Sequence, residues 1–290
     1  MHVLNSNRII QYFIMFTATL KAKRSLTAKM LDYSIYKGNL NDLRFDKKTV
    51  INTINQYSYM VAENDSVFKT ALLASDVLLP DGVGVTAAMK VLSNEDVKKI
   101  AGAQVHVHIL EQLNKTKGKA FYFGSSDTTL DLIKNRLAKE YPNITIETLS
   151  PPFKPTFTDA ENLEFVATIN RFNPDALFIG MTAPKQEKWA TQFKDEIDAK
   201  IICSIGAVFD FYAGTINRPD DFWIDMKLEW LVRLAQNPKR MAKRYLYYGP
   251  AFIRDIFKLK LFKGTNLQKE ILAHENVLKN HIYHKLKAEA

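Results

Sequence analysis

Asp81 stands at the end of the apolar stretch VLLP and opens the turn DGVGV, with Gly82 beside it and small apolar residues following. A carboxylate at a strand-to-helix turn has two uses. It can cap the helix, or it can take a proton from a substrate held at the strand end. Other reactive groups fall at comparable places. YFGSS sets Gly124, Ser125 and Ser126 ahead of a helix whose free backbone N–H groups can hold a phosphate. MTAPKQEKW puts Gln186 and Glu187 in the first turn of a helix behind Pro184, an arrangement that also serves plain capping. GAVFDFYAG supplies Gly206 and then Asp210 between two phenylalanines, where a carboxylate must find hydrogen bonds or charge partners. LEWLVRL and NPKRMAKRY carry Arg233, Arg240, Lys243 and Arg244. Their spacing brings the three arginines close to one helical stripe if Pro238 does not break the helix between them.

Several familiar chemistries are missing. Neither G-x-G-x-x-G nor the Walker pattern occurs, which removes the main support for a common nicotinamide dehydrogenase or a P-loop enzyme. His106 and His108 alternate on one face with no cysteine or carboxylate at metal spacing, so a packed or exposed pair is expected rather than a metal site. The single cysteine, Cys203, excludes an internal disulfide, fits a reducing compartment and lies in a strand-like stretch as a small core residue.

The net charge is +9, and its distribution matters more than its total. From Gln236 to Lys263 there are eight Lys or Arg residues and one acid, Asp255, interleaved with tyrosine and phenylalanine. Nucleic acid, anionic lipid and a phosphorylated substrate all suit such a segment, as does a solvated basic face. No apolar run reaches the roughly 18–20 residues needed to span a bilayer. IIQYFIMFTATL, residues 9–20, has its stronger positive charge after it, which favours a helix that packs on the body or touches a membrane over a signal peptide.

The elements that must position these groups alternate. Strands are expected at TVINTI, DVLL, KAFYFG, ITIETLS, DALFIGM and KIICSIGAVFDF, with amphipathic helices between them. Buried strands alternating with helices predict an α/β fold, a Rossmann-like doubly wound and mostly parallel sheet. Its ligands bind beyond the carboxyl ends of the strands, where Asp81, Gly124–Ser126, Thr182–Glu187 and Gly206–Asp210 would converge. Three regions result: a peripheral N-terminal segment over 1–48, an α/β catalytic core over 49–214, and a basic helical appendage with a polar, helical tail over 215–290. The appendage reads as helices broken at Pro238 and Pro250.

DGVGV, GSS before a helix, APKQEKW, IGAVFDFYAG, LEWLVRL and NPKRMAKRY occur in an order that resembles the WecG/TagA/CpsF family of bacterial glycosyltransferases, glycosyltransferase family 26. The resemblance covers about residues 49–250, and INTINQ matches the family's early "TLN" at Thr53 and Asn55. It implies an inverting, metal-independent and cofactor-free transfer of an N-acetylmannosamine-type sugar. The implied donor is a UDP-sugar, and the implied acceptor is a polyprenyl diphosphate-linked sugar at the cytoplasmic membrane face. It makes Asp81 the base, places Thr53 and Gln186 in the active-site pocket, and assigns Arg233, Arg240 and Lys243 or Arg244 to the diphosphate and the membrane.

The sequence departs from the family pattern at Lys99 and Gln104, where KIAGAQV gives Lys99, Gly102 and Gln104 for an Arg…Gly…Asp run. It departs again at Thr182, which replaces a glycine, and at Arg218–Asp220, where RPD replaces RAP. These differences bear on the identity of the donor more than on the reaction class. The competing readings are a family member with another UDP-sugar donor, a nucleotide- or nucleic-acid-binding module without catalysis, and a catalytically dead scaffold of polysaccharide assembly.

Overall fold

The computed structural model describes residues 27–261, apart from 218, 219, 221, 224, 225 and 227. Eight strands form one sheet in the order β1-β2-β4-β3-β8-β7-β5-β6. They are β1 (Thr27–Met30), β2 (Tyr33–Tyr36), β3 (Thr49–Ile54), β4 (Val77–Pro80), β5 (Lys119–Gly124), β6 (Thr145–Leu149), β7 (Ala176–Gly180) and β8 (Ile201–Ser204). All pairings are parallel except the β1–β2 hairpin. The doubly wound, mostly parallel α/β sheet read from the alternation is the fold observed.

The helices between the strands are α1 (Gln56–Ala62), α2 (Ser66–Leu73), α3 (Val83–Ser93), α4 (Gly102–Thr116), α5 (Asp127–Glu140), α6 (Asp159–Phe172), α7 (Lys185–Phe193) and α8 (Val208–Ala213). Then follow α9 (Glu229–Gln236) and α10 (Pro238–Ala242). Central strands are apolar on both faces because helices cover both: Phe121, Tyr122 and Phe123 in β5 are all fully buried. On one face α4, α5 and α8 pack Val105, Ile109, Leu130, Ile133 and Phe209 against the sheet. On the other, α6 and α7 supply Phe165, Ile169, Trp189 and Phe193. His106 belongs to the first of these layers, its Nε2 2.7 Å from the Tyr122 hydroxyl, and burial lowers its pKa to about 3. It is a packed histidine, and Cys203 is buried in β8.

Four features differ from the expectations. Thr27–Tyr36, inside the polar N-terminal segment, forms an edge hairpin whose Met30, Tyr33 and Ile35 are fully buried against α1–α3. Helix α1, whose cap is Asn55, was not foreseen. The last strand stops at Ser204, and VFDFYA coils into α8 after the Gly206 turn, so Asp210 lies on a helix rather than at a strand end. Finally, the chain breaks at Asn237 but not at Pro250. It widens into a π turn at Lys243–Tyr247, where the Tyr248 N–H donates to the Lys243 carbonyl, and stays helical through residue 261. Such a widened turn lets a helix absorb a proline that lacks an N–H. Residues 9–20 and the tail beyond 261 lie outside the described residues.

Candidate active site

The carboxyl ends of β4, β3, β8 and β7, four neighbouring strands, surround a cavity of about 260 Å³. The β3–β4 register, Thr53 opposite Leu79 and Ile54 opposite Pro80, sets Thr53, Asn55 and Asp81 side by side on its wall. The Asp81 backbone N–H donates to the Ile54 carbonyl at 2.8 Å and fixes the start of the turn. Gln186 and Glu187 enter from the first turn of α7, Gly206 from the turn after β8, and Arg233, Lys243 and Arg244 from α9 and the π turn. Nine of the sequence-selected residues therefore meet in one place.

The others are arranged differently. Gly82, at a φ of +116° that favours glycine, lines a smaller recess of about 70 Å³ that shares Asp81, Arg233 and Arg244 with the cavity. Asp210 lines a third hollow of about 290 Å³ behind Arg233 and Phe211. Gly124, Ser125 and Ser126 line none of these. A Cβ on Gly124 would meet the Gly180 backbone at 2.6 Å, so this glycine permits strand β5 to approach β7, and Ser126 caps α5. Arg240 lies on α10, and its side chain is outside the described residues.

Asp81 is not a helix cap. Gly82 is the N-cap of α3, and among the described residues no side chain caps the start of that helix beside the carboxylate. Among the described residues nothing donates a hydrogen bond to the Asp81 carboxylate. Burial pushes its pKa up and Glu229 adds to this, while Lys99, Arg233 and Arg244 pull it down. Glu229 itself is held by Lys99 at 2.5 Å and by Arg233 at 3.7 Å, so a chain of charges joins the core to α9 over the aspartate. Arg244 lies 4.8 Å over the Tyr57 ring and has no ion-pair partner among the described residues. Burial lowers its pKa, and Tyr57 packs edge-on to Tyr248 to complete the aromatic wall.

Several wall residues were absent from the sequence reading: Tyr57, Ser58, Glu229 and Tyr248. The first two had a local signal. Asn55 accepts from the Tyr57 and Ser58 N–H groups while the Ser58 hydroxyl accepts from the Asn55 N–H, a capping box written as N-x-x-S. Gln104, at a position where the sequence departs from the family pattern, accepts from the Ala101 N–H at 2.8 Å and lines a separate groove of about 780 Å³ beside α4. Among the described residues no three His, Cys, Asp or Glu side chains are grouped to hold a metal ion. The cations facing the cavity are Arg233, Lys243 and Arg244.

Fold and site together define a class: a doubly wound α/β protein with a half-buried carboxylate and a cationic wall at the carboxyl edge of its sheet. Residues 34–266 match the family described as "Glycosyl transferase WecG/TagA/CpsF family", and the chain belongs to it. It is similar to the N-acetylglucosaminyldiphosphoundecaprenol N-acetyl-beta-D-mannosaminyltransferase of Bacillus subtilis (strain 168), 30% identical over 67% of this chain and 74% of that one. The enzyme of the same name from Bacillus spizizenii is 24% identical over 73% of this chain and 80% of its own. That from Staphylococcus aureus (strain MW2) is 26% identical over 71% and 72%.

Proposed function

We propose that this chain transfers an N-acetylmannosamine-type sugar from a UDP donor to a polyprenyl diphosphate-linked N-acetylglucosamine, with inversion at the anomeric carbon. The observation that carries the reading is Asp81, half-buried and without a hydrogen-bond donor among the described residues, in a cavity walled by Arg233, Lys243 and Arg244. The names of the relatives supply the sugar and the acceptor.

In this reaction Asp81 takes the proton of the acceptor hydroxyl, and the resulting oxygen attacks the anomeric carbon from the face opposite UDP. The new glycosidic bond forms as the bond to the diphosphate breaks, and the electron pair leaves on UDP. A raised pKa makes Asp81 a stronger base than a free carboxylate. The departing diphosphate is met by the arginines and by the uncapped start of α3. The C-terminal helix serves the acceptor's membrane. Leu246, Ile253, Phe257 and Leu261, spaced seven, four and four apart, are exposed on one stripe, while Phe252 and Ile256 are buried on the other. An exposed apolar stripe among lysines suits an anionic interface, and no described helix is long and apolar enough to cross the bilayer. The protein then works at the inner face of the plasma membrane.

Acceptor-dependent release of UDP tests this reading. UDP-N-acetylmannosamine should yield UDP only with a short-chain lipid diphosphate-linked N-acetylglucosamine present. Release at the same rate without acceptor, or only from a different UDP-sugar, contradicts it.

A further inference from the structure

Glu187 is 2% exposed, the most secluded acid on the cavity wall, and the transfer chemistry above leaves it without a task. Its Oε1 accepts from the Gln186 side-chain amide at 2.9 Å. Its Oε2 and the Gln186 Oε1 are both buried, and neither has a hydrogen-bond partner among the described residues. A buried polar atom left without a hydrogen-bond partner is costly, so two on one cavity wall mark a place that a ligand completes. Gly206 leaves room for the Gln186 amide, because a Cβ there would meet its Oε1 at 2.9 Å.

The charges facing Glu187 come from several elements. Arg244 and Lys243 enter from the π turn, Glu229 and Arg233 from α9, and Asp81 from the end of β4. On its own helix, Lys185 turns to the Lys154 carbonyl at 2.6 Å and Lys188 to Asp65 of the α2 cap at 2.5 Å. Burial raises the Glu187 pKa to about 7, against the Gln186 amide, its own backbone N–H and the charge of Arg244, which all lower it.

We propose that Glu187 acts as a carboxylic acid that, together with the Gln186 carbonyl, binds hydroxyl groups of the hexose being transferred. The inference rests on the sugar-transfer reading. A hydroxyl both donates and accepts, so it can accept from the Glu187 O–H and donate to Gln186 Oε1. The hydroxyl-rich part of the donor that such a pair of groups would meet is its sugar ring, within a cavity of about 260 Å³. Ionising Glu187 removes the donor, so sugar binding is strongest below the raised pKa and weakens as pH rises through it.

Calorimetric titration with UDP-N-acetylmannosamine and with UDP alone, between pH 5.5 and 8.5, tests the assignment in wild type, Glu187→Gln and Glu187→Ala. Wild type should bind the UDP-sugar about tenfold more weakly at the alkaline end, the loss of one buried hydrogen bond. Glu187→Gln, always neutral and always a donor, should bind within about threefold of acidic wild type with a flat profile. Glu187→Ala should lose about tenfold at every pH while its affinity for UDP stays within about twofold. A Gln variant as weak as the Ala variant, a flat wild-type profile, or equal weakening for UDP and UDP-sugar overturns the proposal. Binding needs no turnover. The expected pattern in a chain that transfers nothing defeats the transfer reading alone, while a wild type that binds no UDP-hexose defeats both.

Discussion

A carboxylate with no hydrogen-bond donor, set behind three cations and an acid, is held at a cost to the fold. The proposed base role of Asp81 gives that cost a reason. Its pKa is raised chiefly by burial, so the folded state disfavours the ionised form. A raised carboxyl contributes most when protonated, and that contribution falls as pH rises through its titration. Asp81→Asn should therefore raise the melting temperature at pH 7.5, by about 2–4 °C if 1 kcal/mol is recovered in a protein of this size. The gain should shrink toward pH 4, as wild type becomes neutral too. A melting temperature lowered by the substitution would mark Asp81 as structural. Asp81 was legible because it stands at the end of the apolar strand VLLP, whereas Thr53, inside β3, and Gln186, on α7, were placed in the pocket by the family resemblance. Their partners were not. That Glu229 answers Lys99 across 130 residues, or that Tyr57 lies under Arg244, depends on packing that no local spacing records.

At the scale of elements, the pattern was read well where period and punctuation agreed, as in Thr49–Ile54, Asp127–Glu140 and Asp159–Phe172. It failed where they conflicted. In IICSIGAVFDF the apolar run continues past Gly206, and only the turn at a φ of +22° divides strand from helix. Pro250 reads as a stop, yet a π turn just before it keeps the helix going. That continuity matters because Phe252 and Ile256 reach back to the core and pack beside Tyr59 and Met60, with the Phe252 and Tyr59 rings 5.3 Å apart. The same helix presents Arg244 to the cavity. Phe252→Ala should cost about 3–5 kcal/mol in denaturant unfolding. At temperatures where the variant is still folded, its KM for the donor should rise as Arg244 loses its seat. An unfolding cost below about 1 kcal/mol would show that the helix is not anchored there.

For the whole molecule, the sheet order gathers four strand ends, and the basic segment that looked fit for nucleic acid, lipid or phosphate closes over them. The division at residue 214 was drawn where strand–helix alternation ceases, but the side chains beyond it complete both the core and the cavity. Their placement follows from tertiary contact, which is why sequence located the appendage without showing what it covers. The family explains why these parts occur together, and its relatives' names fix what is worth offering as substrate. The central claim is that Asp81 takes the acceptor's proton in a sugar transfer, and the most direct measurement compares wild type with Asp81→Asn. Both would be given UDP-N-acetylmannosamine and a lipid diphosphate-linked N-acetylglucosamine, with UDP release and donor affinity measured. The account predicts a kcat lowered by about 10²–10⁴-fold, the range for a lost general base, with donor affinity within about threefold. Turnover by Asp81→Asn within about threefold of wild type would contradict it.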